Sequence, residues 1–219
     1  MGLMLVSVGG CVQGPSEAPP LVASASGQAD TATIDACMVC HSTREMQRGP
    51  VLDGLPEWYL ADQLKKFKSG RRGKNAANRA GALMGAAMAK VETEAQLAGL
   101  ARHFAARKPK PFIRVIRGDI PVGRAQYATR CASCHGVKGE GKPEIASPPV
   151  NVQEDWFLLD QLRKYANGQR SVHPSDAGGV MMKAAAANLS LNDLRNMVAY
   201  IAKDLTVTPL LQKVGPPKK

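Results

Sequence analysis

The stretch DACMVCHSTREM, residues 35–46, decides how this chain is read, through the CMVCH at its centre. Two thiols three positions apart with an imidazole directly behind them fit a redox dithiol, half of a zinc site, or an attachment point for haem. The choice narrows 94 residues later, where YATRCASCHGVKG repeats the pattern at Cys131, Cys134 and His135. A thioredoxin-like dithiol needs a βαβ setting, and neither motif lies in an alternating strand pattern. A zinc site needs four ligands together, and neither unit has a second CxxC. In a haem site the two thiols at a helix end reach the two vinyl groups, and the adjacent histidine faces the iron. Two such motifs at matching places select this third reading. They imply two covalently bound haem c groups, one on Cys37 and Cys40 with His41, the other on Cys131 and Cys134 with His135.

The rest of the chain repeats as well. EWYLADQLKKFKSGRR (57–72) aligns with DWFLLDQLRKYANGQR (155–170), so that Gln63 matches Gln161 and Gly70 matches Gly168. The motifs are offset by 94 positions and these segments by 98, which puts a small insertion in GVKGEGKPEIASPP of the second copy. Trp58, Leu60, Ala61, Leu64 and Phe67 recur at helical spacing. Each copy closes on a helix with its own start signal, Thr93-x-x-Gln96 and Ser190-x-x-Asp193. The expectation is an all-α chain of two tandem domains, over 30–106 and 119–208, joined by a linker at 107–118 where ARKPKPF breaks any helix.

Ahead of the first domain lies an apolar segment, 1–11, ending Val8-Gly9-Gly10-Cys11, which is similar to the lipobox of bacterial lipoproteins. No Lys or Arg precedes Cys11, so a complete export signal would have to begin further upstream. The reading is lipidation at Cys11 and a membrane anchor; a remnant of a soluble export signal is the alternative. Residues 12–29, rich in Pro, Ser and Ala, read as a flexible tether reaching roughly 25 Å. The tail, 209–219, reads as frayed.

Aromatic residues make up only 5% of the chain. Domains of about a hundred residues this poor in aromatics need a cofactor or a staple to fill a core. The net charge of +11 is spread over both copies, with 14 basic against 8 acidic residues in 30–113 and 15 against 9 from 114 onward. No nucleic-acid-binding pattern accompanies it, which excludes nucleic acid as the partner. The densest run, KKFKSGRRGK from Lys65 to Lys74, holds six basic residues in ten, against three in RKYANGQRSV of the second copy. It is the expected docking surface for an acidic redox partner, with a solvated helix face as the plainer reading.

The CxxCH motifs, the Trp/aromatic-Leu-x-x-Gln-Leu helix followed by Gly-x-Arg, and a methionine shortly before each last helix resemble the diheme class I cytochromes c, in particular the cytochrome c4 type. The resemblance runs from about residue 30 to 205. It implies exported two-lobed electron carriers with one His/Met-ligated haem per lobe. In that family the sixth ligand stands eight residues before the cap serine, which selects Met182 over its neighbour Met181. Aligning MGAAMAKVET with MKAAAANLS then pairs Met84, rather than Met88, with Met182. The resemblance also implies that the carbonyls of Pro50 and Pro148 accept the ring N–H of the proximal histidines. Met46, Met38 and Met197 read as non-ligands, and His103 and His173 as packing and loop residues.

The function expected is transfer of single electrons, outside the cytoplasmic membrane and in the periplasm, between a respiratory or dehydrogenase donor and a terminal oxidase or reductase. A haem-bearing subunit of a larger membrane or periplasmic complex is the alternative. A diheme enzyme of the peroxidase or thiosulfate dehydrogenase type is disfavoured, because it needs an exchangeable or unusual ligand at one iron and each domain has a methionine in place.

Overall fold

The computed structural model describes residues 29–41 and 48–207. Among these residues there is no strand, only an isolated bridge between Lys142 and Ser147. The chain is all-α in two copies. The first comprises α1 (Thr31–His41), α2 (Glu57–Lys68), α3 (Arg79–Met88) and α4 (Glu94–Ala105). The second comprises α5 (Ile120–Arg130), the short α6 (Ala132–His135), α7 (Asp155–Ala166), α8 (Ala177–Ala186) and α9 (Leu191–Tyr200), which runs on into a π-helical turn, Ile201–Leu205. The insertion of the second copy contains a 3-10 turn, Pro143–Ile145, closed by the Lys142–Ser147 bridge. The segment with Cys11, the tether up to residue 28, Met46 and the tail from residue 208 lie outside the described residues.

Packing follows the helical stripes. Tyr59, Leu60, Leu64 and Phe67 bury one face of α2 against Leu97, Leu100, Ala101 and Phe104 of α4. In the second copy α5 packs on α9, where Tyr127, Tyr200 and Ile201 form a smaller cluster. Both last helices start with a reciprocal capping box, Thr93 with Gln96 and Ser190 with Asp193, as the sequence signals require.

The matched glycines have a definite task. Gly70 (φ 76°) and Gly168 (φ 72°) take the left-handed conformation just past α2 and α7, which a residue with a Cβ adopts at a cost. The chain then folds back, so that the amides of Arg72 and Arg170 bond the carbonyls of Lys66 and Lys164, each at 2.9 Å. Each guanidinium stacks on the aromatic ring of its own helix, Arg72 over Phe67 at 4.4 Å and Arg170 over Tyr165 at 4.5 Å.

These two arginines tie the copies together. Arg72 donates to Gln63 Oε1 and, at 3.0 Å, to Gln161 Oε1; Arg170 donates to Gln161 Oε1 at 2.6 Å and to Gln63 Oε1 at 3.2 Å. Each glutamine thus accepts from its own arginine and from its counterpart's, an approximate two-fold arrangement. Burial, then the neighbouring Arg170, pulls the Arg72 pKa down to about 10, which still leaves it a cation at neutral pH. Lys66 joins the interface through Asp62 at 2.9 Å and Asp176 of the second copy at 3.0 Å. The linker is pinned to the second copy: Val115 N and Ile116 N donate to the fully buried Asp155 at 2.7 and 2.8 Å.

The interface takes two residues of the basic run Lys65–Lys74. Lys66 and Arg72 point into the domain interface, because their Asp and Gln partners are there, and Lys65 lies 3.7 Å from Glu94. Lys65, Lys68 and Lys74 are exposed and Arg71 partly so.

Candidate haem sites

Each CxxCH sits at a helix end. Cys37, Cys40 and His41 close α1; Cys131 caps α5, and Cys134 and His135 close α6. One turn therefore presents both thiols and the imidazole together. The rings are then fixed from behind: His41 Nδ1 donates to Pro50 O at 2.7 Å and His135 Nδ1 to Pro148 O at 2.8 Å. With Nδ1 so used, Nε2 of each ring is the nitrogen free to bind a metal. Ser147 Oγ lies a further 3.2 Å from His135 Nδ1. Burial lowers the pKa of both histidines, and the proline carbonyls work against that fall. Neutral imidazole is the ligating form.

Opposite His135 stands Met182, its Sδ 3.5 Å from His135 Nε2. Its neighbour Met181 is 59% exposed, on the outer side of α8. In the first copy Met84 packs against the core cluster together with Cys37, Leu52 and Trp58. Met88 is 2% exposed within that core, and its match in the second copy is the equally buried Ala186. Met197 is 1% exposed, with its sulfur 3.9 Å from Cys131 Sγ.

Between Cys131, His135 and Met182 opens a cleft with about 880 Å³ of unfilled space out to its mouth. Its walls are mostly apolar, including Tyr127, Phe157, Leu158, Leu162 and Ile201. Its polar lining comes from Arg170, Arg130, Gln161 and Gln153, and Tyr59 of the first copy also lines it. Arg170 Nε, Arg72 Nε and both amide atoms of Gln153 are buried with no hydrogen-bond partner among the described residues. Of these, Arg170 Nε–H and the Gln153 amide N–H belong to residues that line the apolar cleft, and orphaned donors there suit a ligand with a flat apolar body and a carboxylate edge. The residues present fit a haem.

The thiols fit it as well. Burial raises the pKa of the Cys37 thiol, and it is the main cause that pushes Cys131 up to about 11. A redox dithiol needs the reverse, a thiolate stabilised at neutral pH. Among the described residues no three His, Cys, Asp or Glu side chains converge as a zinc site would need.

Sequence reasoning did not find Glu154, Ser147, or the Gln63–Arg72–Gln161–Arg170 interface. Both copies keep Gln and Gly-x-Arg at matching positions on a helix that already has its apolar face, and that repetition was the available signal.

The family model for cytochrome c matches residues 25–105 and again 122–203. Over 190 residues the chain is 27% identical to cytochrome c4 of Azotobacter vinelandii, covering 81% of this chain and 87% of that protein. It is 32% identical over 170 residues to the thiosulfate dehydrogenase electron acceptor of Thiomonas intermedia (strain K12), covering 69% and 72%. The solved cytochrome c4 of Acidithiobacillus ferrooxidans superposes with a TM-score of 0.60 at 25% identity, covering 76% of this chain and 97% of that one. Twice-matched family model, duplicated CxxCH helices and a c4-like two-domain fold lead to one conclusion: the chain belongs to the cytochrome c family, as a diheme electron-transfer protein of the cytochrome c4 type with two covalently bound haem c groups.

Proposed function

We propose that this protein carries single electrons from a dehydrogenase or respiratory donor to a terminal oxidase or reductase outside the cytoplasmic membrane, and is not itself an enzyme. In this reading Cys37 and Cys40 hold one haem and Cys131 and Cys134 the other. His41 with Met84, and His135 with Met182, would hold the two irons. The bound haem supplies a reversible one-electron couple whose potential His/Met ligation raises. The chain supplies the surroundings. The Pro50 and Pro148 carbonyls hold the imidazole rings in orientation. Leu158, Leu162 and Ile201 keep water from the cleft, and the low polarity disfavours the added positive charge of the oxidised state. Arg170 offers its unpartnered Nε–H group to an anionic edge.

The observation that carries this reading is the close approach, 3.5 Å, of Met182 Sδ to His135 Nε2 in a cleft whose lining holds no other histidine. Two protein ligands on one iron leave no position for a substrate. The name of the Thiomonas relative, an electron acceptor for thiosulfate dehydrogenase, supports a dehydrogenase as donor. It also favours the second reading, a haem-bearing subunit of a larger redox complex. Lys65, Lys68, Arg71 and Lys74 are the part of the basic run available to meet an acidic partner. No helix among the described residues is long and apolar enough to cross a membrane, and attachment in this reading is by lipid at Cys11, in the periplasm.

Replacing Met182 with Ala is the test. Axial ligands and surroundings move haem potentials over roughly 0.8 V, so losing the thioether is expected to lower one haem on the order of 0.1 V or more. Met181→Ala is expected to leave both potentials in place. The reverse pattern in a potentiometric titration would assign the ligand to Met181.

A further inference from the structure

Val51 and Pro149 occupy matching positions, each directly after the proline whose carbonyl holds a proximal histidine. Pro50 C=O and Val51 N–H belong to a single peptide group. Its oxygen accepts from His41 Nδ1 at 2.7 Å, and its N–H donates to Glu154 Oε2 at 2.9 Å. A carboxylate of the second copy is thereby joined, through one peptide group, to the imidazole of the first. Glu154 is only 7% exposed. It stands at the N-cap of α7, yet its side chain makes no capping bond to that helix and reaches across the interface to Val51 instead.

The second copy has neither part of this device. Pro149 has no N–H to give, and the position matching Glu154 in the first copy is Pro56. His135 has the Ser147 hydroxyl nearby at 3.2 Å, where the first copy has Gly49.

We infer that Glu154 is a positioning residue for the first haem, acting through the Val51–Pro50 peptide to strengthen His41 as a ligand and so to lower that haem's potential. Hydrogen bonds in series polarise one another: an anion on the N–H makes the carbonyl a stronger acceptor. A stronger acceptor on Nδ1–H raises the basicity of a ligating histidine, as carboxylates do directly in many metal sites. Greater basicity of the ligating imidazole favours the oxidised iron. The two haems are thereby given unequal potentials by one interdomain contact.

The inference rests on His41 being an axial ligand, so its test carries a control. Glu154→Gln keeps an acceptor for Val51 N–H and removes the charge. In the full diheme protein, Met84→Ala marks the first haem as the component whose potential falls. Glu154→Gln is then expected to raise that same component by about three- to tenfold in its reduction constant, tenfold being about 59 mV for one electron. The other component stays in place. The His41 Nδ1 proton resonance of the reduced protein is expected to move upfield as its hydrogen bond weakens, while that of His135 does not move. An unmoved first component, or equal shifts of both, overturns the inference while Met84→Ala still behaves as a ligand loss. If Met84→Ala moves neither component, the ligand reading of the first domain fails, and the inference falls with it.

Discussion

Lys66 and Lys164 hold matching positions in the two copies, and each reaches an aspartate four residues back, Asp62 and Asp160. Only Lys66 has a second partner, Asp176, whose match in the first copy is the uncharged Asn78. Asp176 also accepts from Gly179 N at the start of α8, the helix that carries Met182. Burial opposes the Lys66 charge, but the hydrogen bonds to both carboxylates outweigh it and its pKa rises above the ordinary value. Removing one partner of a buried pair leaves the other charge without compensation, at about 3–5 kcal/mol. Lys66→Met is therefore expected to cost about 3 kcal/mol in urea unfolding of the holoprotein. Lys164→Met leaves Asp160, which is 38% exposed, to be solvated by water, and is expected to cost under about 1 kcal/mol. Equal losses would mean that the Asp176 contact contributes nothing. None of this asymmetry was legible in the basic run itself, because sequence shows that charges cluster but not which way a long side chain turns.

At the scale of the helices, the local signals were a sound guide. Thr93-x-x-Gln96 and Ser190-x-x-Asp193 each satisfy two backbone donors within one turn, so they depend on nothing distant. Removing the side-chain acceptor with Ser190→Ala is expected to cost about 1 kcal/mol. For a chain of this size that lowers the Tm by roughly 2–4 °C, measurable by calorimetry. An unchanged Tm would show that α9 is held by its packing on α5 alone. The same locality explains why α2 and α7 were legible: their apolar stripes have the 3.6-residue period, and Gly70 and Gly168 mark where each helix stops. The second copy's 3-10 turn at Pro143–Ile145 was legible only as an insertion, since its closing bridge, Lys142 to Ser147, carries no sequence pattern. Glu154 was illegible for a related reason. At a helix start a glutamate reads as a partner for its own helix, and its actual acceptor role is met 103 positions away.

At the scale of the molecule, duplication gives two similar sites, and the interface makes them different. Four matched residues, Gln63, Arg72, Gln161 and Arg170, bond crosswise and keep an approximate symmetry. Lys66–Asp176 and Val51–Glu154 break it, one reaching the helix of Met182 and the other the proximal loop of His41. If the inference about Glu154 holds, the protein holds two electrons at two potentials. That account requires both irons to be closed by histidine and methionine. The most direct test is a potentiometric titration of the wild-type holoprotein, followed through the ferric absorption band that reports thioether coordination. The expected result is two one-electron steps of unequal potential, with the band lost in two portions, one per haem. A single portion, with the other haem high-spin or ligated by two nitrogens, would contradict it and point to chemistry at an open or exchangeable iron.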